Sequence, residues 1–383
     1  MSRGQLRNQE RRYSLSTKRG WRQYAESPVR ERPEVLDRTR LATLSTQARA
    51  EYDEYRAVWH ANLGPIRTPQ LLDVHRDLWN ILASNREDGD KPRFPAVIDA
   101  FPGLGKSTIA NAFGRDYQRH QVDLYGAQTL EGHEHIPVVR IQLTDETTRR
   151  DFNSMLCRFF NLPGCDRGNA NQLGHKAADA IISCGSTLII VDDVHFLDMR
   201  RKNGRAVANH FKALTNDFPV TFLYVGVGLD QRGLLDEGLA PGQEELAQNS
   251  RRWTPLAVPP FTIDDEPGRQ TWRNLLLTIE KAVVLADKYP GMIADDLSDV
   301  LFARSTGHFA SLMTLIKRSC HKSITEGAER LTGDILARTK NDAAAERARL
   351  ELEAAIAAGR LSSRPTTPRG RRSVSGQPAG TTT

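Results

Sequence analysis

Cysteine is scarce in this chain: Cys157, Cys165, Cys184 and Cys320 are four among 383 residues, and no two of them form a C-x-x-C pair. That excludes a disulfide framework and a thiolate zinc site, and reads the four as buried apolar residues. Long hydrophobic runs are missing too. Nothing approaches the ~18 apolar residues that a membrane-crossing helix needs, so no membrane partner is expected. The N-terminal stretch MSRGQLRNQERRYSLSTKRGWRQY lacks the apolar core of a secretory signal, which places the protein in the cytoplasm with reduced thiols. Acidic residues are almost absent from the two ends. Residues 1–25 hold seven Arg and Lys against Glu10 alone, and residues 360–383 hold five Arg and no acid.

The stretch between these ends is consequently weakly acidic, and the ends are rich in Ser, Thr, Pro and Gly. Such a distribution suggests flexible basic arms that meet a polyanion, or arms that only keep the protein soluble. The remaining composition, 39% hydrophobic and 26% charged, is that of a soluble globular protein. At this length one compact core is insufficient, and a large domain with a smaller one and tails is expected. We place a basic, disordered arm at 1–40, a helical preamble with an α/β domain at 41–262, a helical lid at 263–340, and a helix running into a basic disordered tail at 341–383.

Hydrophobic periodicity predicts helices at 41–62 and 69–84, where Leu71, Leu72, His75, Leu78, Trp79 and Leu82 recur at helical spacing and Pro65 and Pro69 break between the two. Short apolar strands follow at 94–100, 136–143, 186–194, 219–227 and 253–261, separated by helical stretches. This alternation implies a parallel α/β sheet. Beyond about residue 262 the pattern is helical only, at 264–286, 296–304, 308–325 and 332–357.

The first strand runs into 100-AFPGLGKST-108. Converging backbone N–H groups are what a nucleotide phosphate needs, which demands glycines where side chains would block its approach, and the helix that follows adds its N-terminal dipole. Ala100, Gly103, Leu104, Gly105, Lys106, Ser107 and Thr108 form this candidate cradle, with Ala100 where the motif commonly has a first glycine. Lys106 reaches the terminal phosphates and the Ser107 hydroxyl is a Mg²⁺ ligand. A carboxylate is then required at the tip of a neighbouring strand. The run 188-LIIVDDVHFL-197 delivers two: Asp192 as the Mg²⁺ partner through water, and Asp193 to polarise the attacking water. His195 reads as a strand-end side chain packed on its neighbours. With no Asn-Lys-x-Asp motif to read guanine, ATP is the expected nucleotide.

Taken together, AFPGLGKST, LIIVDDVHFL, YVGVG at 224–228, SRRW at 250–253 and STGHFASLMTLIKRSCHKSI at 305–324 resemble the AAA+ superfamily, and within it the TniB/TnsC/MuB group of DNA-transposition regulators. The resemblance covers roughly residues 40–340. It implies a P-loop AAA+ ATPase with a helical lid that binds ATP and Mg²⁺, forms a homo-oligomeric ring or filament on double-stranded DNA, marks a target site, and recruits a transposase and a TniQ-like adaptor. It also implies an arginine finger acting between subunits, for which Arg251 and Arg252 are candidates. Asp193 stands where many relatives have Glu, and the sensor positions fall near Gly226-Val227 and Ala310, without polar side chains, so slow hydrolysis is expected. Phosphate contacts need Lys and Arg on an inward surface, and two clusters qualify: Arg149-Arg150, and Arg200, Arg201, Lys202 and Arg205. The alternative reading is a signalling or defence-type P-loop ATPase that reports nucleotide state to a protein partner without DNA, or a switch that barely hydrolyses.

Overall fold

The computed structural model describes residues 11–87, 93–144, 147–196, 220–229 and 253–365. Five parallel strands form the sheet: β1 Ala96–Asp99, β2 Val138–Gln142, β3 Leu188–Asp192, β4 Thr221–Gly226 and β5 Thr254–Ala257, in spatial order β2-β3-β4-β1-β5. All five coincide with predicted strands. A parallel sheet is covered on both faces, and β3 and β4 are accordingly buried at every position.

Helices α1 Lys18–Glu26, α4 Pro69–Ser84, α5 Lys106–Tyr125, α6 Arg149–Phe159 and α7 Ala170–Ser183 belong with the sheet, and their apolar faces join one core through Trp21, Leu78, Phe113, Phe152 and Leu173. Residues 11–40, expected within a disordered arm, depart from that expectation. Thr17 caps α1, and Trp21, fully buried, lies against Gly114 of α5 in the space that a longer side chain there would fill. Burial of this large apolar ring offsets part of the entropy cost of ordering the segment. Residues 1–10 and 366–383 lie outside the described residues.

The smaller lobe comprises α8 Glu266–Ala282, a π turn at Met292–Asp296, α9 Ser298–Ser305, α10 Phe309–Thr325, α11 Gly333–Ala337 and α12 Ala343–Ala357. It has its own core around Trp272, Leu276, Leu301, Leu312 and Ile316. Two helices expected as single runs are split. The segment at 41–62 becomes α2 Arg38–Thr43 and α3 Thr46–Ala61, because Ser45 turns its hydroxyl to the Ala48 amide and starts a new helix. The run 332–357 divides into α11 and α12. There the buried Arg304 takes the carbonyls of Leu336 and Thr339 and the Glu346 carboxylate, while Asp342 caps the second piece.

The preamble is divided between the two lobes, with α4 in the sheet core and α3 outside it. Helix α3 packs on the lid: Arg56 pairs with Glu329 in a buried bridge at 2.7 Å, Trp59 donates to the Ala282 carbonyl at 2.8 Å, and Leu63 joins the lid core. The chain thus runs from sheet to lid and back to sheet before β1, and residues 63–68 cross between the two lobes.

Candidate functional site

The loop leaving β1 carries Gly103 at φ 82° and Gly105 at φ 87°, the left-handed region that a side chain disfavours, and Gly105 is the N-cap of α5. Glycines here let the backbone turn closely at the helix N-terminus, where the helix dipole favours an anion such as a phosphate. Lys106 Nζ donates to the Phe101 carbonyl at 2.9 Å. Burial lowers its pKa, and Asp192, Asp99 and Asp193 oppose the shift by favouring the charged form.

Ser107 and Asp192, 85 residues apart, meet at 3.0 Å with the Ser107 hydroxyl donating to Oδ1. The Asp193 amide donates to the same oxygen at 3.0 Å, and Arg140 Nη2 donates to Oδ2 at 2.7 Å. A serine that gives its proton to a carboxylate keeps its lone pairs for a cation. Ser107 and Asp192 therefore fit Mg²⁺, a hard ion bound by few protein oxygens and completed by phosphates and water. Among the described residues no group of three His, Cys, Asp or Glu side chains forms a dedicated metal cage.

Arg140 lies on β2 and was not among the predicted site residues. It also donates to Gln142 Oε1 at 3.1 Å, and Gln142 Nε2 donates to Asp193 Oδ2 at 2.7 Å. Strand register explains the grouping: Gln142 is paired with Asp192, and Arg140, two residues earlier, shares its face. A signal was present in the sequence, since a single arginine inside the apolar run IPVVRIQL demands a partner if buried. Asp193 itself has φ 59°, and its other oxygen is 3.8 Å from His195 Nδ1. That nitrogen is buried without a hydrogen-bond partner among the described residues, so His195 faces the carboxylate as well as packing on Phe196.

The lid touches the loop through the first turn of α10. The Ala310 amide donates to the Gly103 carbonyl at 2.9 Å, and a Cβ on Gly105 would lie 3.7 Å from Phe309. Ala310 thus contacts the loop through its backbone. Beside this junction an apolar cleft opens between the lobes, walled by Ile66, Leu71, Ile109, Val258, Phe261 and Phe309. Flat apolar walls next to a phosphate loop suit a nucleobase.

Other predicted positions are less gathered. Arg149 and Arg150 open α6 on an exposed surface, and Arg150 donates to the carbonyls of Gly168 and Asp166 at 3.0 and 2.7 Å, clamping the connection to α7. Arg200, Arg201, Lys202, Arg205, Arg251 and Arg252 lie outside the described residues.

Residues 91–235 match the AAA domain. Among curated proteins none matches the sequence. Solved structures share the fold at low identity. The ORC1 protein of Aeropyrum pernix in complex with DNA is 15% identical with a TM-score of 0.54, over 78% of this chain and 69% of that one. The ORC2 protein of the same organism, in ADPNP-ADP complexes, is 13% identical with a TM-score of 0.53, over 76% of this chain and 69% of that one. Drosophila ORC bound to DNA is 11% identical with a TM-score of 0.50, over 82% and 69%. What this chain shares with these structures is the fold, a parallel sheet followed by a helical region. Among the described residues no helix is long and apolar enough to cross a membrane.

Proposed function

We propose that this protein is an ATP-dependent, DNA-binding regulator of transposition. In its ATP state it assembles as a homo-oligomer, a ring or filament, on double-stranded DNA, marks a target site, and recruits a transposase with a TniQ-like adaptor. The observation that carries the nucleotide-driven part is the seat of α10 on the phosphate loop, Ala310 on Gly103. A ligand that differs by one phosphate changes the loop, and a differential contact with the lid is what shifts an assembly equilibrium. The DNA-binding part is supported by the fold shared with DNA-bound ORC structures, and the transposition part by the motif set at 100–108, 188–197, 224–228, 250–253 and 305–324.

In this reading Lys106 neutralises the terminal phosphates and Asp193 accepts a hydrogen bond from the attacking water, with Gln142 and Arg140 fixing the carboxylates. Ser107 and Asp192 would hold Mg²⁺, whose charge offsets that of the transferred phosphoryl group. Arg251 or Arg252 supplies a further positive charge from a neighbouring copy. Arg149, Arg200, Arg201, Lys202 and Arg205 contact DNA phosphates, with Arg150 bracing the loop beside Arg149.

Sedimentation with ATP, ADP or no nucleotide, with and without duplex DNA, tests the proposal. ATP alone should drive assembly and raise DNA affinity. Affinity should fall linearly on a log–log plot with salt, by a slope of roughly −0.9 per phosphate contacted. Arg251→Ala with Arg252→Ala should keep ATP binding and lose assembly, and Asp193→Asn should accumulate the assembled state by blocking turnover. Absence of DNA binding at low salt in every nucleotide state would favour a switch that acts on a protein partner.

A further inference from the structure

Arg140 is 6% exposed and Asp192 is 3% exposed, and the guanidinium donates to Oδ2 of the carboxylate at 2.7 Å. The other partners of Arg140 are neutral. Its Nη1 donates to Gln142 Oε1 at 3.1 Å and to the Ser16 hydroxyl at 3.4 Å, and its Nε is buried without a hydrogen-bond partner among the described residues. A guanidinium does not give up its proton in a protein, so burying one is costly unless an anion stands beside it. Among the described residues Asp192 is the one carboxylate within ion-pair distance of Arg140, and Arg140 the one cation within that distance of Asp192. Each neutralises the other. The carboxylate that suits a divalent cation is thus already balanced within the chain.

We propose that Arg140 is the internal counterion of Asp192 and sets the order of binding, so that a divalent cation enters with the phosphates of the nucleotide rather than before them. Lys106 lies in the field of Asp192, Asp99 and Asp193. Those three carboxylates against Lys106 and Arg140 leave one negative charge around the loop. A hard cation held by only one or two protein oxygens depends on phosphates to complete its shell, and a guanidinium beside the carboxylate repels it. Arg140 acts through Asp192, as a positioning residue. The inference rests on the reading of the loop at 100–108 as an ATP site with Ser107 and Asp192 as metal partners.

The test titrates Mn²⁺, followed by its electron spin resonance, into the full chain with and without ADP, and into Arg140→Gln, Arg140→Lys and Gln142→Glu, each below its melting temperature. Without ADP the parent should bind Mn²⁺ weakly, and Arg140→Gln should bind it on the order of tenfold more tightly, because a repelling charge has gone. Arg140→Lys keeps the charge and should stay with the parent. Gln142→Glu leaves Arg140 in place, gives it a second anion from an exposed position, and should gain in the same direction even if Arg140→Gln does not fold. A merely loosened fold loses binding and does not gain it. Asp192→Asn, added to either gaining variant, should cancel the gain. No gain in Arg140→Gln, or in Gln142→Glu if the former does not fold, would overturn the counterion assignment, as would an equal gain in Arg140→Lys. A parent that holds Mn²⁺ as tightly without ADP as with it, and loses it in Asp192→Asn, would do the same. A parent that binds no ADP even with Mn²⁺ present would overturn the reading of the loop itself, and this inference with it.

Discussion

The Asp192 carboxylate is held by three donors: Ser107 Oγ, the Asp193 amide and the Arg140 guanidinium. Arg140 and Asp192 are both buried, so their attraction is little screened and neither finds water if the other is removed. Arg140→Met should therefore destabilise the fold by about 3–5 kcal/mol, the usual cost of leaving one buried charge without its partner. Thermal unfolding measures this, and Arg140→Lys should recover part of the loss. A variant as stable as the parent would mean that the pair is not formed in solution. At this scale the sequence was legible where chemistry is contiguous. Gly103 to Thr108 are neighbours in the chain and their geometry is local. Gln142 could not be placed, because its role exists only once β2 lies beside β3.

Among the elements, the junction of β5 with the lid leaves no room for a side chain at Gly307. Gly307, at the turn before α10, has φ 71°, and a Cβ there would lie 2.0 Å from the Phe261 carbonyl oxygen. Its own carbonyl accepts the Phe261 amide at 2.9 Å, which ties the start of α10 to the exit of β5. Gly307→Ala combines left-handed strain with an overlap against backbone, and should cost about 2 kcal/mol or more and weaken ATP binding through the displaced lid. Gly333→Ala, where an added methyl meets nothing within 4 Å, should leave the melting temperature nearly unchanged. Equal effects from the two substitutions would sink this account. The positions of all five strands and most helices followed from apolar periodicity, which depends on the chain alone. The breaks at Ser45 and at 338–342 did not, since a cap and the reach of Arg304 compete with helix continuation there.

For the whole molecule the decisive feature is the path of the chain, which places α1 and α4 on the sheet and α3 on the lid. His60 of α3 marks this docking. The Val284 amide donates to its Nε2 at 3.0 Å, its Nδ1 is buried without a hydrogen-bond partner among the described residues, and burial first, then Arg56, Arg32 and Lys288, push its pKa down to about 3. The folded value lies below the ordinary imidazole value near 6.5, so on acidification the unfolded chain takes up this proton first. His60 thus contributes its full stability above about pH 6.5 and loses it as pH falls toward 3, by up to ~1.4 kcal/mol per unit. Between pH 7.5 and 5.5 the parent should lose about 1 kcal/mol more stability than His60→Gln, which can still accept the Val284 amide. Parallel pH profiles of melting temperature in the two proteins would show that α3 is not held in this way.

The sequence by itself determined the kind of molecule: five short apolar runs, a phosphate loop after the first, a paired aspartate after the third, and a helical region beyond the last. Each of these is written in residues close together in the chain, where backbone preference and side-chain period act directly. Only the tertiary structure decided what surrounds the site. The order β2-β3-β4-β1-β5 brings Arg140 and Gln142 to the two aspartates, and the return of the chain from the lid sets Ile66 and Gln70 against the loop. Periodicity reports which face of a helix is apolar and is silent about which core receives it, because burial is favourable against any apolar surface and the choice depends on all the others made at once.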